Sequence, residues 1–465
     1  MMHNKENGTS QAIPANVLRE VEARDCFLWV NGKYEPEAVL DSDTLRPEVA
    51  QARFDRHAPA LASMFGPLAE TQGELRSPLV PIPHLQALLV AKAGSCGGGG
   101  EDLLAVPMGN WWLKRDDALP VAGSIKARGA FHEVLAVSER VYSKRALIDP
   151  SLPVGEISTK EARKLFSEYT ISVGSTGNLG LGVGLIAAGL GFNAVVHMSK
   201  EAARWKKEML HTHGIEVVEH VGDYAVAVAS GRKAAQADPY IHFVDDERST
   251  DLFLGYAAAA REIEEQLASV RARVDEKHPL FVYLPCGVGG APGGIAYGLK
   301  RRFGKYVHCF FAEPVEAPCM LLQLASGGLN SVTVYDVGLS NNTAADGLAV
   351  PQASLFVAEV MGKSISGIFL VDDQTLFHDL HALASSERIN VEPSAIAAIR
   401  GPLWLTASSA GQAYLRRHGL LDQMRDAQHI IWSTGGSLIP TAERALNAER
   451  AQQAFEALDR TGVTI

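Results

Sequence analysis

The sequence predicts an α/β protein built on parallel sheets, and three observations support that fold class. Strand-like apolar runs alternate with helical runs between Thr170 and Val244. Another apolar run, 281–284, leads into a glycine-rich turn and then a helical run. The alternation continues through the apolar runs 308–312 and 429–432. Strands that alternate with helices form βαβ units, and the strands of such units pair in parallel.

The elements of the first alternating region follow from this pattern. We expect a helix from Leu179, strands at 193–198, 215–219 and 241–244, and helices at 202–213 and 224–237. Gly214 is a suitable stop for the helix that precedes it. Upstream, the run 111–115 is expected to be a strand that leads into a motif containing a lysine.

The order of the elements predicts a large domain interrupted by a smaller one. Residues 1–75 mix acidic and apolar positions and are expected to form a helical N-terminal extension, while the proline-rich run 77–83 is a connector. The predicted large domain is discontinuous, at 76–130 and 255–465. The small domain is predicted at 131–254, with the active site in the cleft between the two.

The composition is that of a globular protein in a reducing compartment. Of 465 residues, 47% are hydrophobic and 21% are charged, and the net charge of −10 argues against a nucleic-acid partner. No apolar signal segment lies in residues 1–20, and no apolar run is long enough for a membrane span. Five scattered cysteines without C-x-x-C spacing argue against disulfides and zinc. We therefore expect a cytoplasmic protein without a membrane partner.

The run Gly-Ser-Ile-Lys-Ala-Arg-Gly-Ala at 123–130 contains the first candidate for chemistry, Lys126. Small neighbours leave room around its amine, which could form an imine with a cofactor carbonyl, as lysines do with pyridoxal phosphate (PLP). The alternative is a solvated lysine at the start of a helix.

The run Ser-Val-Gly-Ser-Thr-Gly-Asn-Leu-Gly at 172–180 follows a predicted strand and enters a helix. Hydroxyl groups and free N–H groups at a helix N-terminus form an anion site that suits a substrate carboxylate. Asn178 adds an amide that could bind a ring hydroxyl. The alternative is an ordinary capped helix.

The glycine-rich turn at 286–294 suits a phosphate, because its N–H groups are unobstructed and a helix follows. It does not match the two common nucleotide motifs. The dinucleotide pattern requires glycine at Pro292, and the P-loop requires glycine at Leu299.

Together these motifs resemble those of the fold-type II PLP enzymes, the tryptophan synthase β-like superfamily. The residues of these motifs are similar to those of bacterial D-serine dehydratases. The similar runs are Ser-Ile-Lys-Ala-Arg-Gly, Ser-Thr-Gly-Asn-Leu-Gly, Asp-Asp-Glu with Leu-Phe-Leu-Gly-Tyr, Pro-Cys-Gly-Val-Gly-Gly, and Ser-Thr-Gly-Gly at 433–436. They extend from about residue 110 to residue 440. Ala291 departs from the family, which usually has a third consecutive glycine there.

The resemblance implies β-elimination of D-serine, with tolerance of D-threonine, to pyruvate and ammonia. It implies that Lys126 forms a Schiff base with PLP, that Asn178 binds the ring hydroxyl and that Thr434 binds the ring nitrogen. The residues expected to bind the phosphate are Gly287, Val288, Gly289, Gly290 and Ala291. The residues expected to bind the substrate carboxylate are Ser175, Thr176, Gly177 and Leu179. The family also suggests a monomer.

The resemblance further implies that an aspartate, Asp245 or Asp246, contacts the substrate hydroxyl and helps to select its hand. We favour Asp246, with Thr176 as its partner in catalysis; the alternative for the aspartates is helix capping. Glu313, Ala317, Cys319 and Asp346 resemble the cation site of related dehydratases and racemases, so a K⁺ or Na⁺ ion is expected there.

Two other functions remain open at this point. Within the same fold, the chain could be a threonine or L-serine dehydratase or a PLP-dependent synthase. In another class, it could be a non-catalytic PLP-binding regulatory protein, although an intact lysine and both loops argue against that.

Overall fold

The computed structural model describes residues 13–38, 44–95, 109–146, 157–175, 177–200, 202–222, 224–327 and 331–461. Contacts between Cα atoms divide the chain into two compact units. Unit 1 comprises Met1–Leu40, Pro78–Asp117 and Ile263–Ile465, and unit 2 comprises Asp41–Ser77 and Ala118–Glu262.

The secondary structure is a mixture of helices and strands. The strands are β1 Leu28–Val30, β2 Leu79–Pro81, β3 Asn110–Arg115, β4 Thr170–Gly174, β5 Asn193–Ser199, β6 Glu216–His220, β7 Ile241–Val244, β8 Leu280–Pro285, β9 Val307–Pro314, β10 Ile365–Val371 and β11 Gln428–Ser433. The helices of the first half are α1 Ala15–Ala23, α2 Pro47–Met64, α3 Gly66–Ala69, α4 Pro83–Ser95, α5 Lys126–Ala146, α6 Lys160–Phe166, α7 Asn178–Leu190, α8 Arg204–Thr212, α9 Tyr224–Ala237 and α10 Thr250–Ala257. Those of the second half are α11 Ala259–Ser269, α12 Gly290–Phe303, α13 Cys319–Ala325, α14 Leu355–Met361, α15 Asp373–Glu387, α16 Pro393–Ile396, α17 Gly401–Ala407, α18 Ser409–Arg417 and α19 Thr441–Thr461.

Unit 1 contains a seven-stranded sheet in the order β1-β10-β9-β8-β11-β3-β2. Its five central strands are parallel, and β1 and β2 pair antiparallel at the two edges. Every residue of β8, β9 and β11 is buried. Strands that helices cover on both faces read as continuous apolar runs, which is why the sequence revealed them.

Unit 2 contains a four-stranded sheet in the order β6-β5-β4-β7, and all of its strands are parallel. The strand order places β4 between β5 and β7, and β4 ends in the run predicted to bind a carboxylate. Helices α5 and α10 pack against each other, as do α5 and α7. The predicted class, α/β with parallel sheets, is confirmed in both units.

The N-terminal segment differs from the expected helical extension. Residues Leu28–Val30 form β1, which pairs with β10 in unit 1, whereas α2 packs against α5 and α10 in unit 2. The described part of residues 1–75 is therefore divided between the two units. The sequence did not reveal β1, because a three-residue strand that pairs over a long separation leaves almost no local signal. The predicted domain boundaries stay a prediction, and in the contact-based division Lys126 belongs to unit 2. None of the helices in the described ranges is both long and apolar enough to cross a membrane.

Candidate active site

Lys126 is the first residue of α5, and its amine meets a carboxylate that is distant in sequence. Its Nζ donates a hydrogen bond to Oδ2 of Asp246 at 2.8 Å. The carboxylate side chain is 7% exposed and the lysine side chain 21% exposed. The amine is thus held at the start of a helix but remains partly accessible, which rules out a simple solvated surface lysine.

The two neighbouring aspartates after β7 have different partners. Asp245 accepts two hydrogen bonds from Arg232 of α9, at 2.8 and 3.0 Å, and Glu247 accepts one from the same guanidinium. Asp246 lies between them and contacts Lys126 instead. Within the described part of the chain, Oδ1 of Asp246 is buried and has no hydrogen-bond partner. This oxygen is therefore available to a bound molecule.

The run that follows β4 forms a tight turn into α7. The Ser175 hydroxyl accepts hydrogen bonds from the N–H groups of Gly177 and Gly180, both at 2.9 Å. Gly177 precedes α7 with a φ of 155°, and a Cβ there would collide with the side chain of Lys206. Asn178 and Leu179 are the first two residues of the helix. Thr176 lies outside the described residues.

Glycine packing brings this turn and the lysine into the same part of unit 2. A Cβ on Gly182 of α7 would lie 3.1 Å from the Cβ of Ala130 and 3.5 Å from the carbonyl oxygen of Lys126. The helix that begins at the predicted carboxylate loop therefore lies directly against the start of α5. The small residues of both motifs permit that close approach.

The predicted phosphate loop lies in unit 1, between β8 and α12. Gly289 is the N-cap of α12 with a φ of 108°, and a Cβ there would collide with the Met320 side chain. No side chain caps this 14-residue helix. Gly290 and Ala291 are its first two residues, where the methyl group of Ala291 fits helical geometry. Glycine at 289 thus satisfies a backbone requirement and leaves a turn without an obstructing side chain.

Thr434 follows β11 in unit 1 and is almost fully buried. Ser433 precedes it, and its buried hydroxyl has no hydrogen-bond partner among the described residues. Gly436 has a φ of 142°, and a Cβ there would lie 2.7 Å from both the Glu392 nitrogen and the Val391 Cα. The Thr-Gly-Gly run is therefore a strand-end turn whose second glycine is required by close packing.

The residues predicted to bind a cation form only part of a site. Both oxygens of the buried Glu313 accept backbone N–H groups, from Met320 at 2.8 Å and Leu321 at 2.9 Å. Burial raises the pKa of Glu313 to about 8 against the opposing effect of these donors. Cys319 donates to Glu313 at 3.6 Å and to the Gly287 carbonyl at 3.3 Å. Ala317 donates its N–H to the Pro314 carbonyl.

Asp346, the fourth predicted ligand, is exposed. In the described ranges, no group of three or more His, Cys, Asp or Glu side chains is arranged to hold a metal ion.

Several residues around the lysine were missed by sequence reasoning. These are Glu133, which contacts Ser249 and His242; Lys206, whose side chain lies beside Gly177; and Arg232, which binds Asp245. Lys206, Arg232 and His242 belong to ordinary helical or strand runs, so nothing local distinguishes them. Only for Glu133 did the sequence hold a signal, since it follows Lys126 by seven positions, about two helical turns.

The residues present fit PLP. In unit 2, a lysine amine is held by a carboxylate whose second oxygen is unpartnered. In unit 1, a glycine turn opens a helix that no side chain caps, and a buried hydroxyl before Thr434 lacks a partner. A lysine amine, a turn with unobstructed N–H groups and a neutral hydroxyl are the groups that an aldehyde cofactor with a phosphate and a ring nitrogen requires.

This fold and these residues define a class, the α/β enzymes that use PLP. The chain belongs to the pyridoxal-phosphate dependent enzyme family, whose model matches residues 101–412. It is 52% identical to a probable D-serine dehydratase of Cupriavidus pinatubonensis over 433 residues, 93% of this chain and 94% of that one. It is 50% identical to a probable D-serine dehydratase of Burkholderia lata, over 92% and 94% of the two chains.

Solved structures support the fold. Diaminopropionate ammonia lyase from Escherichia coli superimposes with a TM-score of 0.67 at 19% identity, covering 93% of this chain and 98% of that one. The predicted fold, that of the fold-type II PLP enzymes, is confirmed. The regulatory alternative loses its support, since the chain belongs to a family of enzymes.

Proposed function

We propose that this chain is a D-serine ammonia-lyase that converts D-serine to pyruvate and ammonia. The observation that carries the proposal is the 2.8 Å contact between Lys126 Nζ and Asp246 Oδ2, with Oδ1 of the same carboxylate unpartnered. The pair provides a cofactor-linking amine and a polar group that can serve a substrate hydroxyl. The names of relatives at 52% and 50% identity support the choice of D-serine.

In this proposal, unit 1 binds the cofactor's phosphate and ring nitrogen. The N–H groups of the turn before α12 would hold the phosphate, helped by the helix dipole. The residues concerned are Gly287, Val288, Gly289, Gly290 and Ala291. The Thr434 hydroxyl would hold the ring nitrogen, and a neutral hydroxyl does not stabilise a protonated ring as a carboxylate would.

Unit 2 would provide the covalent link and the substrate site. Lys126 would hold PLP through its amine, and Asn178 would bind the ring hydroxyl. The turn at Ser175, Thr176, Gly177 and Leu179 would bind the substrate carboxylate. Ser175 already orders this turn by accepting two of its N–H groups.

In the elimination, different residues of the chain would have different roles in moving protons and orienting the leaving group. When bound, PLP acts as an electron sink for the negative charge that develops at the substrate α-carbon. The Lys126 amine would accept the α-proton. Asp246 Oδ1 would orient the β-hydroxyl, the protonated Lys126 amine would return its proton to that oxygen so that it leaves as water, and Thr176 would assist from the carboxylate turn. Hydrolysis of the released enamine returns that water and yields pyruvate and ammonia.

Pyruvate release from D-serine and from L-serine tests the proposal. We expect D-serine to be turned over well ahead of L-serine, with D-threonine tolerated. Thr176→Ala and Asp246→Ala should each lower kcat and kcat/KM by roughly 10²-fold, because an orienting contact operates in the transition state. Equal rates, or a preference for L-serine, would favour the threonine or L-serine dehydratase alternative.

Three accompanying proposals concern the state of the enzyme. A K⁺ or Na⁺ ion would bind at Glu313, Ala317, Cys319 and Asp346, and would favour the ionised form of Glu313. The effect of replacing KCl by tetramethylammonium chloride on PLP affinity tests this.

The protein would be a monomer, which light scattering can measure. It would be cytoplasmic, which cell fractionation can test; the cysteines in the described ranges are free thiols.

A further inference from the structure

We propose that Glu133 is a positioning residue that holds Asp246 against Lys126. The inference rests on the proposed function only in assigning Asp246 to the substrate. Glu133 belongs to none of the lysine, carboxylate or phosphate motifs, and it is 2% exposed. It lies on the face of α5 that carries Lys126, about two turns further along the helix.

The Glu133 carboxylate spans the connection between β7 and α10. Its Oε1 lies 2.9 Å from Nε2 of His242, a residue of β7. Its Oε2 accepts a hydrogen bond from the Ser249 hydroxyl at 2.6 Å. Ser249 is also the N-cap of α10 and accepts the N–H of Leu252. One buried carboxylate therefore holds the chain on both sides of Asp246, four residues before it and three residues after it.

A second helix also holds the connection. Arg232 of α9 binds Asp245 and Glu247, the two residues that flank Asp246. The connection is thus fixed from α9 through its residues Asp245 and Glu247, and from α5 through Glu133. Between these anchors the Asp246 side chain is directed to the Lys126 amine.

Other contacts keep α10 attached to α5, so the role of Glu133 is separable from folding. Nδ1 of His132 donates to the Asp251 carbonyl at 2.7 Å, and Arg140 pairs with the Asp251 side chain at 2.7 Å. Gly129 and Gly255 bring the helices into direct contact. Loss of Glu133 should therefore shift the connection rather than detach the helix.

The test is a double-mutant cycle of Glu133→Gln and Asp246→Asn. Glutamine keeps the shape of the side chain but removes its negative charge and replaces one of its two acceptors by a donor, so the Ser249 and His242 contacts cannot both keep their present donor and acceptor roles, and the hold on the connection weakens. If Glu133 acts through Asp246, Glu133→Gln should lower kcat for D-serine roughly tenfold with little change in KM, and should cost nothing further in the Asp246→Asn background.

The matched control is Glu139→Gln on the same helix. Glu139 binds Arg53 and His57, away from the connection. It should lower the melting temperature while leaving kcat unchanged. Losses that multiply in the double variant, or a loss from Glu139→Gln equal to that from Glu133→Gln, would overturn the proposal and assign Glu133 a purely structural role.

A second measurement does not depend on turnover. The rate at which Lys126 of the PLP-free protein captures added PLP can be followed by borohydride trapping and peptide mass. Glu133→Gln and Asp246→Asn should slow capture to similar extents, and the double variant no further. Capture at the wild-type rate in Glu133→Gln would overturn the proposal. If the wild type releases no pyruvate from D-serine, the proposed function fails while capture still decides the role of Glu133.

Discussion

At the scale of single residues, Asp245 and Asp246 show how adjacent identical side chains acquire different roles. The backbone directs one carboxylate to Arg232 and the other to Lys126. A carboxylate with a guanidinium partner is fully occupied, whereas Asp246 retains a buried oxygen without a partner in the described residues. Of the two, Asp246 has the free hydrogen-bonding capacity that a substrate contact requires.

Replacement of Lys126 tests the covalent link. Lys126→Ala should abolish borohydride attachment of PLP and lower turnover by at least ~10²–10⁴-fold, because the variant loses a proton acceptor as well as the link. Peptide mass spectrometry after reduction identifies the labelled lysine. Lys144→Ala, an exposed lysine in the last turn of the same helix, is the control and should behave as wild type. Label on another lysine would refute the assignment.

Replacement of Thr434 tests the electronic environment of the cofactor. Thr434→Asp should favour a protonated ring nitrogen, since a nearby carboxylate stabilises the positive charge. We expect a new long-wavelength absorbance band and slower elimination with PLP still bound. Thr434→Ser keeps a hydroxyl and should retain the wild-type spectrum. If the aspartate variant also has that spectrum and the wild-type rate, Thr434 does not face the ring.

At the scale of elements, the contact between α5 and α10 explains two glycines of the sequence motifs. A Cβ on Gly255 would lie 2.6 Å from the Arg128 carbonyl oxygen and 2.9 Å from the Cα of Gly129. Opposing glycines let the two backbones approach closely. Both glycines belong to runs that carry the family resemblance, and in the structure they allow the helix packing that keeps Lys126 near the segment carrying Asp246.

Substitution of Gly255 tests this packing. Gly255→Ala should lower the free energy of unfolding by ~1–3 kcal/mol, because the added methyl group meets backbone atoms that cannot move independently. Gly66→Ala is the matched control in the same unit, where a Cβ meets no atom within 4 Å. It should be neutral or stabilising by up to ~1 kcal/mol. Urea unfolding followed by circular dichroism measures both. Equal effects of the two substitutions would contradict the packing role.

At the scale of the whole molecule, buried neutral histidines make stability depend on pH. Burial, assisted by the charge of Arg53, lowers the pKa of His132 to about 4, although Asp251 and Glu139 oppose the shift. Burial alone lowers the pKa of His429 to about 3. In the unfolded chain both pKa values are near ~6.5. Protons therefore bind the unfolded chain preferentially, and these residues make the folded state less stable as the pH falls below ~6.5.

Comparison of wild type with His132→Gln between about pH 7 and about pH 5 isolates one of these groups, since glutamine does not titrate. The raised pKa of Glu313 changes stability in the opposite direction over this range, but it contributes equally to both proteins. The histidine contribution should fall by up to ~1.4 kcal/mol per pH unit in the wild type and be absent in the variant. Parallel stability curves from chemical unfolding would show that His132 is not held neutral.

The sequence by itself determined the α/β class, the four strands of the unit 2 sheet and four of the seven strands of the unit 1 sheet, because buried parallel strands and the helices between them have local periodicity; β1, β2 and β10 were not predicted. Bounds shifted by only one or two residues, as in β5 and β8. The lysine run and both glycine-rich turns were also evident, since small residues, hydroxyls and glycines have local conformational meaning. The resemblance to D-serine dehydratases added roles for these residues that composition and spacing could not supply.

Only the tertiary structure decided which distant side chains meet. It paired Lys126 with Asp246, 120 positions away, and placed Glu133 across the connection that carries this aspartate. It also placed β1 at the edge of the sheet in unit 1. Such contacts depend on how helices and strands pack over long separations, whereas a sequence pattern reports only the conformation and burial of neighbouring residues.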